Sequence, residues 1–462
     1  MILFLLFAAM VWAQDWPRFR GPNGSSVSTA AARLPAEFSD AKNLAWKVSV
    51  PFSKSSPIVV EGRVFLTAAE RQVLVTVALD ANTGLTLWRR EIQRPRAQQI
   101  FRLNDSASPT PAADHTGVYV FFPDLGLVSY GFDGKERWRA PLGPFRNFYG
   151  QAASPIVADD LVILNCDQQS GSFLVAVDKN TGIERWRTAR PDIQFGWATP
   201  IVYSPGNASK QIIVASSNRL DSYYLATGER RWWFPVACDG AMGSPVLDGD
   251  TLYFHANGHD QPMLPTFESL LGSYDADKDG RVSRAEFQRF EMFAEHFGWV
   301  DDNGDGFIDG KEWSAARNFG SGDNGLLALS LGAQGELPPR ALRWRLKRSI
   351  PYIPAPVLYK GVLFMVKTGG VVTSVDPLTG KIAKEGRATG ALGDYVAQPV
   401  AADGKIFLAS ESGQMAVLKA AAEWEVLAVN DLGDEIFATP AIAGGSLYVR
   451  TRASIYCFRL PR

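Results

Sequence analysis

The chain has 462 residues, 46% hydrophobic and 21% charged, which places it among globular proteins and excludes a disordered or fibrous one. A formal net charge of −1, with no long run of one sign, excludes a nucleic-acid surface built on charge. The 13 tryptophans, 42 glycines and 28 prolines suit many short strands joined by tight turns.

Residues 1–13, Met1 to Ala13, are apolar, too short to span a bilayer, and end in small residues suited to cleavage after Ala13. They read as an export signal, although no Lys or Arg precedes the apolar run; the alternative is a buried first strand. No cysteine lies nearby, so no lipid anchor is expected, and no later stretch is long and apolar enough to cross a membrane. Residues 14–42 form a strap opened by Asp15-Trp16-Pro17-Arg18-Phe19-Arg20-Gly21-Pro22-Asn23-Gly24, too broken by Pro and Gly for a strand or helix. A lone strand follows at Leu44–Val48, carrying Trp46.

From there the chain is periodic. A small residue and a proline open each unit before an apolar strand, at Ser56-Pro57, Ser108-Pro109, Ser154-Pro155, Thr199-Pro200, Ser244-Pro245, Ala355-Pro356, Gln398-Pro399 and Thr439-Pro440. The prolines recur about every 41 to 52 residues, the range of propeller repeats, with one interval of about 111. Each unit holds four strands; in the first they are Ile58–Val60, Val64–Thr67, Thr76–Leu79 and Leu85–Arg89. Between the third and fourth strands comes Ala78-Leu79-Asp80-Ala81-Asn82-Thr83-Gly84-Leu85-Thr86-Leu87-Trp88, repeated at Ala176 to Trp186 and more faintly near Gly134, Gly228 and Gly380. The Asp side chain closes the turn on the following amides and Gly takes positive φ. The Trp must bury its ring against a neighbouring unit, so one indole per sheet is expected to wedge the sheets together.

The eighth unit, ending with Ser446–Arg450 and Ser454–Phe458, stops one strand short, and Leu44–Val48 supplies the missing piece. Shared ends close a ring, so the chain reads as an eight-bladed β-propeller: first part 43–258, second part 324–462, with an insertion at 259–323. The Asp-x-x-Thr-Gly-x-x-x-Trp pattern resembles the tryptophan-docking repeat of pyrroloquinoline-quinone (PQQ)-type propellers, and the Trp16 to Gly24 strap is similar to one that precedes such propellers in exported bacterial proteins. That family implies one of two activities. Quinoprotein dehydrogenases hold PQQ in the axial funnel and oxidise alcohols or sugars, often with Ca²⁺ beside the quinone. A second branch has lost the cofactor and serves as a scaffold in outer-membrane assembly. The three cysteines, Cys166, Cys238 and Cys457, include no adjacent pair to set against a quinone, and no haem motif accompanies them. They are expected to be buried fillers.

The insertion lies between the second strand of the fifth unit, Thr251–His255, and its third, Gly325–Leu329. It carries two twelve-residue segments, Asp275 to Glu286 and Asp301 to Glu312, that closely resemble EF-hand loops. Oxygen donors stand at positions 1, 3 and 5 (Asp275, Asp277, Asp279; Asp301, Asn303, Asp305), and Gly280 and Gly306 make the turn at 6. Arg281 and Phe307 offer backbone carbonyls at 7, Ser283 and Asp309 stand at 9, and Glu286 and Glu312 close the sites at 12. This is the donor set of a hard cation taking six to eight oxygens, so two Ca²⁺ are expected. Val282 and Ile308 at position 8 suit a short strand pairing the loops. Only residues 287–300 separate them, so a single shared helix, or two short ones meeting at a bend, is expected, with Phe287, Phe290, Phe293 and Phe297 on one stripe. Trp299 and Trp313 are assigned to the small core of this module. A structural or slowly exchanging site fits that geometry better than a switch.

The residues ahead of each opening proline face the funnel mouth: Asp105, Gln151, Trp197, Asp239, Tyr352, Asp394, Tyr395 and Glu435. They can form a ring for a small polar ligand, a sugar or a quinone, or be rim residues that hydrogen-bond their own turns. The histidines are His115, His255, His259 and His296; His255 and His259 flank the start of the insertion, show no zinc pattern with other ligands and read as structural. The expectation is an exported, periplasmic or extracellular, monomeric calcium-binding propeller that recognises a protein or glycan without chemistry. A PQQ-dependent dehydrogenase is the alternative.

Overall fold

Eight blades of four antiparallel strands, one of them widened by a further short strand, form the ring in this computed structural model, which describes residues 15–461 except 31–32, 98–99, 101–103, 237, 239–240, 259–261, 320 and 323. The expected signal and the candidates Asp239 and His259 lie outside the described residues. Blade 1 comprises Ile58–Val60, Arg63–Glu70, Val73–Asp80 and Thr86–Gln93. Blade 8 is completed by Leu44–Ser49, which runs antiparallel to Ser454–Phe458 with Lys47 opposite Tyr456. The two chain ends therefore share a sheet, as the missing strand implied.

The turn chemistry explains how blades meet. In blade 1, Asp80 Oδ1 accepts the Asn82 and Thr83 amides at 3.0 and 2.8 Å, and Asp178 does the same for Asn180 and Thr181. The glycine that follows is the seat for the previous blade's indole. A Cβ on Gly182 would lie 2.6 Å from the Trp138 ring, and Trp138 Nε1 donates to Lys179 O at 2.9 Å. The same docking joins Trp46 to Ala81, Trp88 to Phe132, Trp186 to Leu225 and Trp344 to Pro377.

One indole per sheet does not hold throughout. In blade 6 the corresponding residue is Lys384, opposite Ser374, and in blade 7 it is Ala428, opposite Val417. At the first of these the partners are exchanged: Trp424 comes from the receiving turn, and Lys384 Nζ lies 4.5 Å from its ring centroid and donates to its carbonyl. Trp232 instead bonds Gln211 within its own blade, and Gly335–Glu336 adds a fifth, parallel strand to blade 4 beside Trp232 and Trp233. At the blade 7–8 junction the strap fills the gap, with Phe38 against Phe458 at 4.6 Å and Phe38 N donating to Asn430 Oδ1.

The residue before each opening proline has a second task. Its backbone N–H donates to the side chain at the same place in the next blade: Thr439 to Ser56, Ser56 to Thr110, Thr110 to Ser154, Ser154 to Thr199, Ala355 to Gln398 and Gln398 to Thr439. A ring of hydroxyls and one amide thus laces the innermost strands, which is why small polar residues recur there. The series corrects blade 2, whose opening pair is Thr110-Pro111 rather than Ser108-Pro109. It stops at Ser244, whose buried hydroxyl has no partner, in the blade that carries the insertion.

The strap crosses the axial channel. It bonds innermost-strand backbone in blade 1 (Trp16 with Val59), blade 2 (Pro17 O from Ala113 N) and blade 7 (Ser26 and Ser28 with Ala401). Arg18 Nη2 reaches Pro200 O of blade 4 at 2.7 Å. Arg20, fully buried, donates to Ser244 O of blade 5 and Pro356 O of blade 6 at 3.1 and 2.6 Å. Guanidinium donors in a fixed fork let one side chain tie two blades from within the channel.

Candidate calcium centre and axial mouth

The insertion begins with a helix, Phe267–Tyr274, capped by Thr266, and ends with Gly310–Asn318, capped by Asp309. Between the loops there is no shared helix. Short helical pieces at Arg284–Phe287 and Phe297–Val300 are separated by turns and a 3-10 segment at Ala294–His296, because residues 287–300 must also bring four Phe rings into one core. The two loops pair as a minimal ribbon, Val282 opposite Ile308. Trp313 Nε1 donates to Pro265 O at 2.9 Å and Arg317 Nε to Leu264 O at 3.1 Å, pinning the outgoing helix to the incoming segment.

In the first loop Asp275 Oδ2 accepts the Gly280 amide at 3.1 Å, and Asp279 Oδ1 the Arg281 amide at 2.8 Å. Glu286 accepts from Ala276 N, Ser283 N and Ser283 Oγ at 2.7 to 2.8 Å. The Ser283 hydroxyl and backbone bonds hold its carboxyl below the usual range. Carboxylate oxygens of Asp275, Asp277 and Glu286 lie within 4.8 Å of one another. Asp275 Oδ1 is buried without a partner. Three like charges at that separation, one with an orphaned oxygen, fit a hard divalent cation among them.

The second loop repeats the amide hydrogen bonds, with Asp301 accepting from Gly304 and Gly306 and Glu312 from Asn303 and Asp309, though among the described residues the close carboxylate trio belongs to the first loop. The loops touch through Arg281, whose guanidinium lies 3.9 Å from the Phe307 ring centroid. They differ in burial at the first and last positions, where Asp301 and Glu312 are 6% and 8% exposed and Asp275 and Glu286 only half-buried; positions 3 and 5 stand in solvent in both loops. The reason is that the insertion's core is not its own. Propeller residues Phe148, Phe195 and Trp197 join Trp299, Trp313, Phe287 and Phe297 in one cluster, with Phe195 against Phe319 at 5.0 Å. A cleft of about 170 Å³ between Gln169, Gln194, Phe195 and Glu312 marks the seam.

At the mouth the predicted ring is divided. Trp197 lies under the insertion, stacked on Phe195 at 5.8 Å, with its Nε1 donating to Gly150 O. Asp105 accepts Ala107 N within its own turn and Lys54 N from the segment ahead of blade 1, both at 2.7 Å. Gln151 Nε2 donates to Asp167 O and Tyr395 OH to Ala391 O. Glu435 is exposed and paired with Arg452 at 2.8 Å, Asp394 is exposed, and Tyr352 is 56% exposed. Two neighbours escaped the sequence reading: Lys54, whose ammonium burial pushes down, and Glu411, whose carboxyl burial and Asp394 push up. Both belong to one acidic patch with Asp105 and Glu435; the signal was a lone Lys at the same mouth, two residues before Ser56. His255 is buried and carries a pKa of about 4, because burial and then Arg20 disfavour its charge. Cys166, Cys238 and Cys457 are buried thiols, and Cys238 Sγ donates to Ser216 O.

A family model described as outer membrane protein assembly factor BamB matches residues 9–147, 146–264 and 310–461, and one described as EF hand matches 267–290 and 295–315. BamB from Moraxella catarrhalis is similar over 91% of this chain and 98% of its own at 12% identity, with a TM-score of 0.56. A quinohemoprotein alcohol dehydrogenase from Comamonas testosteroni is similar over 97% of this chain and 81% of its own at 12% identity, TM-score 0.58. A europium-containing methanol dehydrogenase gives 97% and 98% at 12%, TM-score 0.57. These likenesses concern the fold alone. No curated protein is similar enough to match.

Proposed function

The chain belongs to the PQQ-type propeller family described as outer membrane protein assembly factor BamB, with an EF-hand pair set into its fifth blade, and on that premise we propose a calcium-binding scaffold that performs no chemistry. It is exported, periplasmic or extracellular, works as a monomer, and holds a protein or a glycan. The observation that carries this reading is the strap: the chain's own Arg18 and Arg20 occupy the axial channel and bond the innermost strands of blades 4, 5 and 6. The mouth above it supports the same reading, since Gln151, Trp197, Tyr395 and Glu435 are bonded within the protein. Asp105, Asp394, Glu411 and Glu435 outnumber Lys54, Arg450 and Arg452 there, so the mouth offers no cationic surplus for a tricarboxylate quinone.

Two Ca²⁺ ions are held, one by Asp275, Asp277, Asp279, Ser283, Glu286 and the Arg281 carbonyl, the other by Asp301, Asn303, Asp305, Asp309, Glu312 and the Phe307 carbonyl. Their role is structural, because both ends of the insertion are pinned and its core is shared with the ring. The test has two arms. Protein incubated with PQQ and Ca²⁺, then desalted, is expected to keep no quinone absorbance and to reduce no dye with alcohols or sugars; turnover overturns the scaffold reading. Melting in Ca²⁺ against chelator is expected to show stabilisation of about 2.7 kcal/mol per site at a hundredfold excess over Kd. The double substitution Glu286→Gln and Glu312→Gln should abolish it, and an unchanged shift would remove calcium from these loops.

A further inference from the structure

The two EF-hand loops have different neighbours, and the difference lies in the propeller. Gln169 Nε2 donates to Trp299 O at 3.0 Å, and Arg146 Nη2 donates to Asp302 O. Those two carbonyls bracket Asp301, the first ligand position of the second loop. The clamp is itself braced: Gln169 N donates to Arg146 O at 2.8 Å, and Arg146 N to Gln168 Oε1 at 2.8 Å. Beneath it Trp299 packs between Phe195 and Phe319, at 6.3 and 5.1 Å. By contrast, no hydrogen bond or ion pair from the propeller reaches residues 275–286 among the described residues.

We infer that Arg146 and Gln169 are positioning residues for the second calcium loop, making 301–312 the tighter and slower of the two sites and fastening the insertion to the mouth through its metal. The inference rests on the calcium reading above. A loop whose first and last ligands are already buried and braced loses less freedom when the ion arrives, so its affinity rises, mostly through slower release. Charge works the other way, since a guanidinium near a cation site weakens it. Here that effect is small: Arg146 is half exposed and its charge is offset by the Asp302 carboxylate at 3.9 Å, a residue at a non-ligand position. Bracing therefore decides the sign.

Calorimetric Ca²⁺ titration of the full chain, with chelator-induced release followed by tryptophan fluorescence, tests it. Wild-type protein should show two unequal steps. Glu312→Gln should remove the tighter and Glu286→Gln the weaker. The pair Arg146→Ala and Gln169→Ala should weaken the tighter step at least tenfold and speed its release, leaving the weaker step alone. Arg146→Lys, which keeps a donor for the Asp302 carbonyl, should recover most of the loss, and circular dichroism checks that each variant is folded. A tighter step that belongs to loop 275–286, or that the double variant leaves unchanged or tightens, overturns the inference while leaving calcium binding intact. If wild-type protein binds no Ca²⁺, the calcium reading falls as well.

Discussion

Gly182→Ala isolates the contact that joins blades. Gly182 has φ +73, and a Cβ there would stand 2.6 Å from the buried Trp138 ring, which is further held by its bond to Lys179 O. Left-handed backbone costs a side-chain-bearing residue about 1 kcal/mol. Overpacking against a fixed ring adds about 1 to 3 kcal/mol. Gly361 has φ +72 with nothing within 4 Å of the same position, so Gly361→Ala carries the backbone cost alone. Urea unfolding should therefore place Gly182→Ala well below Gly361→Ala in midpoint at equal slope. Adding Trp138→Phe should cost less in the Gly182→Ala background than in wild type, since a smaller ring makes room. Equal midpoints for the two alanine variants would refute the docking account.

Two further substitutions probe the buried charges. His255 stays neutral in the fold down to about pH 4 but protonates near 6.5 when unfolded, so stability is full above 6.5 and falls as pH drops toward 4. His255→Asn should flatten that limb by roughly 3 kcal/mol in pH-dependent melts, and an unchanged slope would locate the acid sensitivity elsewhere. Arg190 bridges Asp167 and Asp221 at 3.0 and 3.1 Å with all three side chains fully buried. Arg190→Met should cost about 3 to 5 kcal/mol at neutral pH by stranding Asp167, since Asp221 keeps Arg219 at 2.9 Å, and the cost should shrink as pH falls, because burial already pushes the Asp167 carboxyl up. A loss independent of pH would mean packing, not charge, is what the arginine supplies.

Eight blades were legible because the signals are local. The Asp-to-Gly turn and the small residue before proline each report a hydrogen bond that the structure makes. The closing strand followed from counting strands. The EF-hand loops were legible for a similar reason: the motif is carried by side chains within one dodecapeptide. What escaped depends on which surface meets which. No local pattern announces that Lys384 and Trp424 exchange roles, or that Gly335–Glu336 adds to the edge of blade 4. Trp197 stood among the candidate mouth residues and Trp299 in the small core of the insertion; folding puts both in one cluster. A crowding of Phe145, Phe148, Tyr149, Phe195 and Trp197 ahead of blades 3 and 4 was the available sign that something docks there. The strap's motif was visible, but its arginines' path across the channel is set by six blades at once.

The most direct measurement is a calcium-anomalous diffraction map from crystals grown with Ca²⁺ and PQQ together. The account predicts one peak within each loop, at Asp275–Glu286 and Asp301–Glu312, and polypeptide density for Arg18 and Arg20 across the axis. Planar quinone density at the mouth with a cation beside Asp105 or Glu435, or loops without peaks, would contradict it.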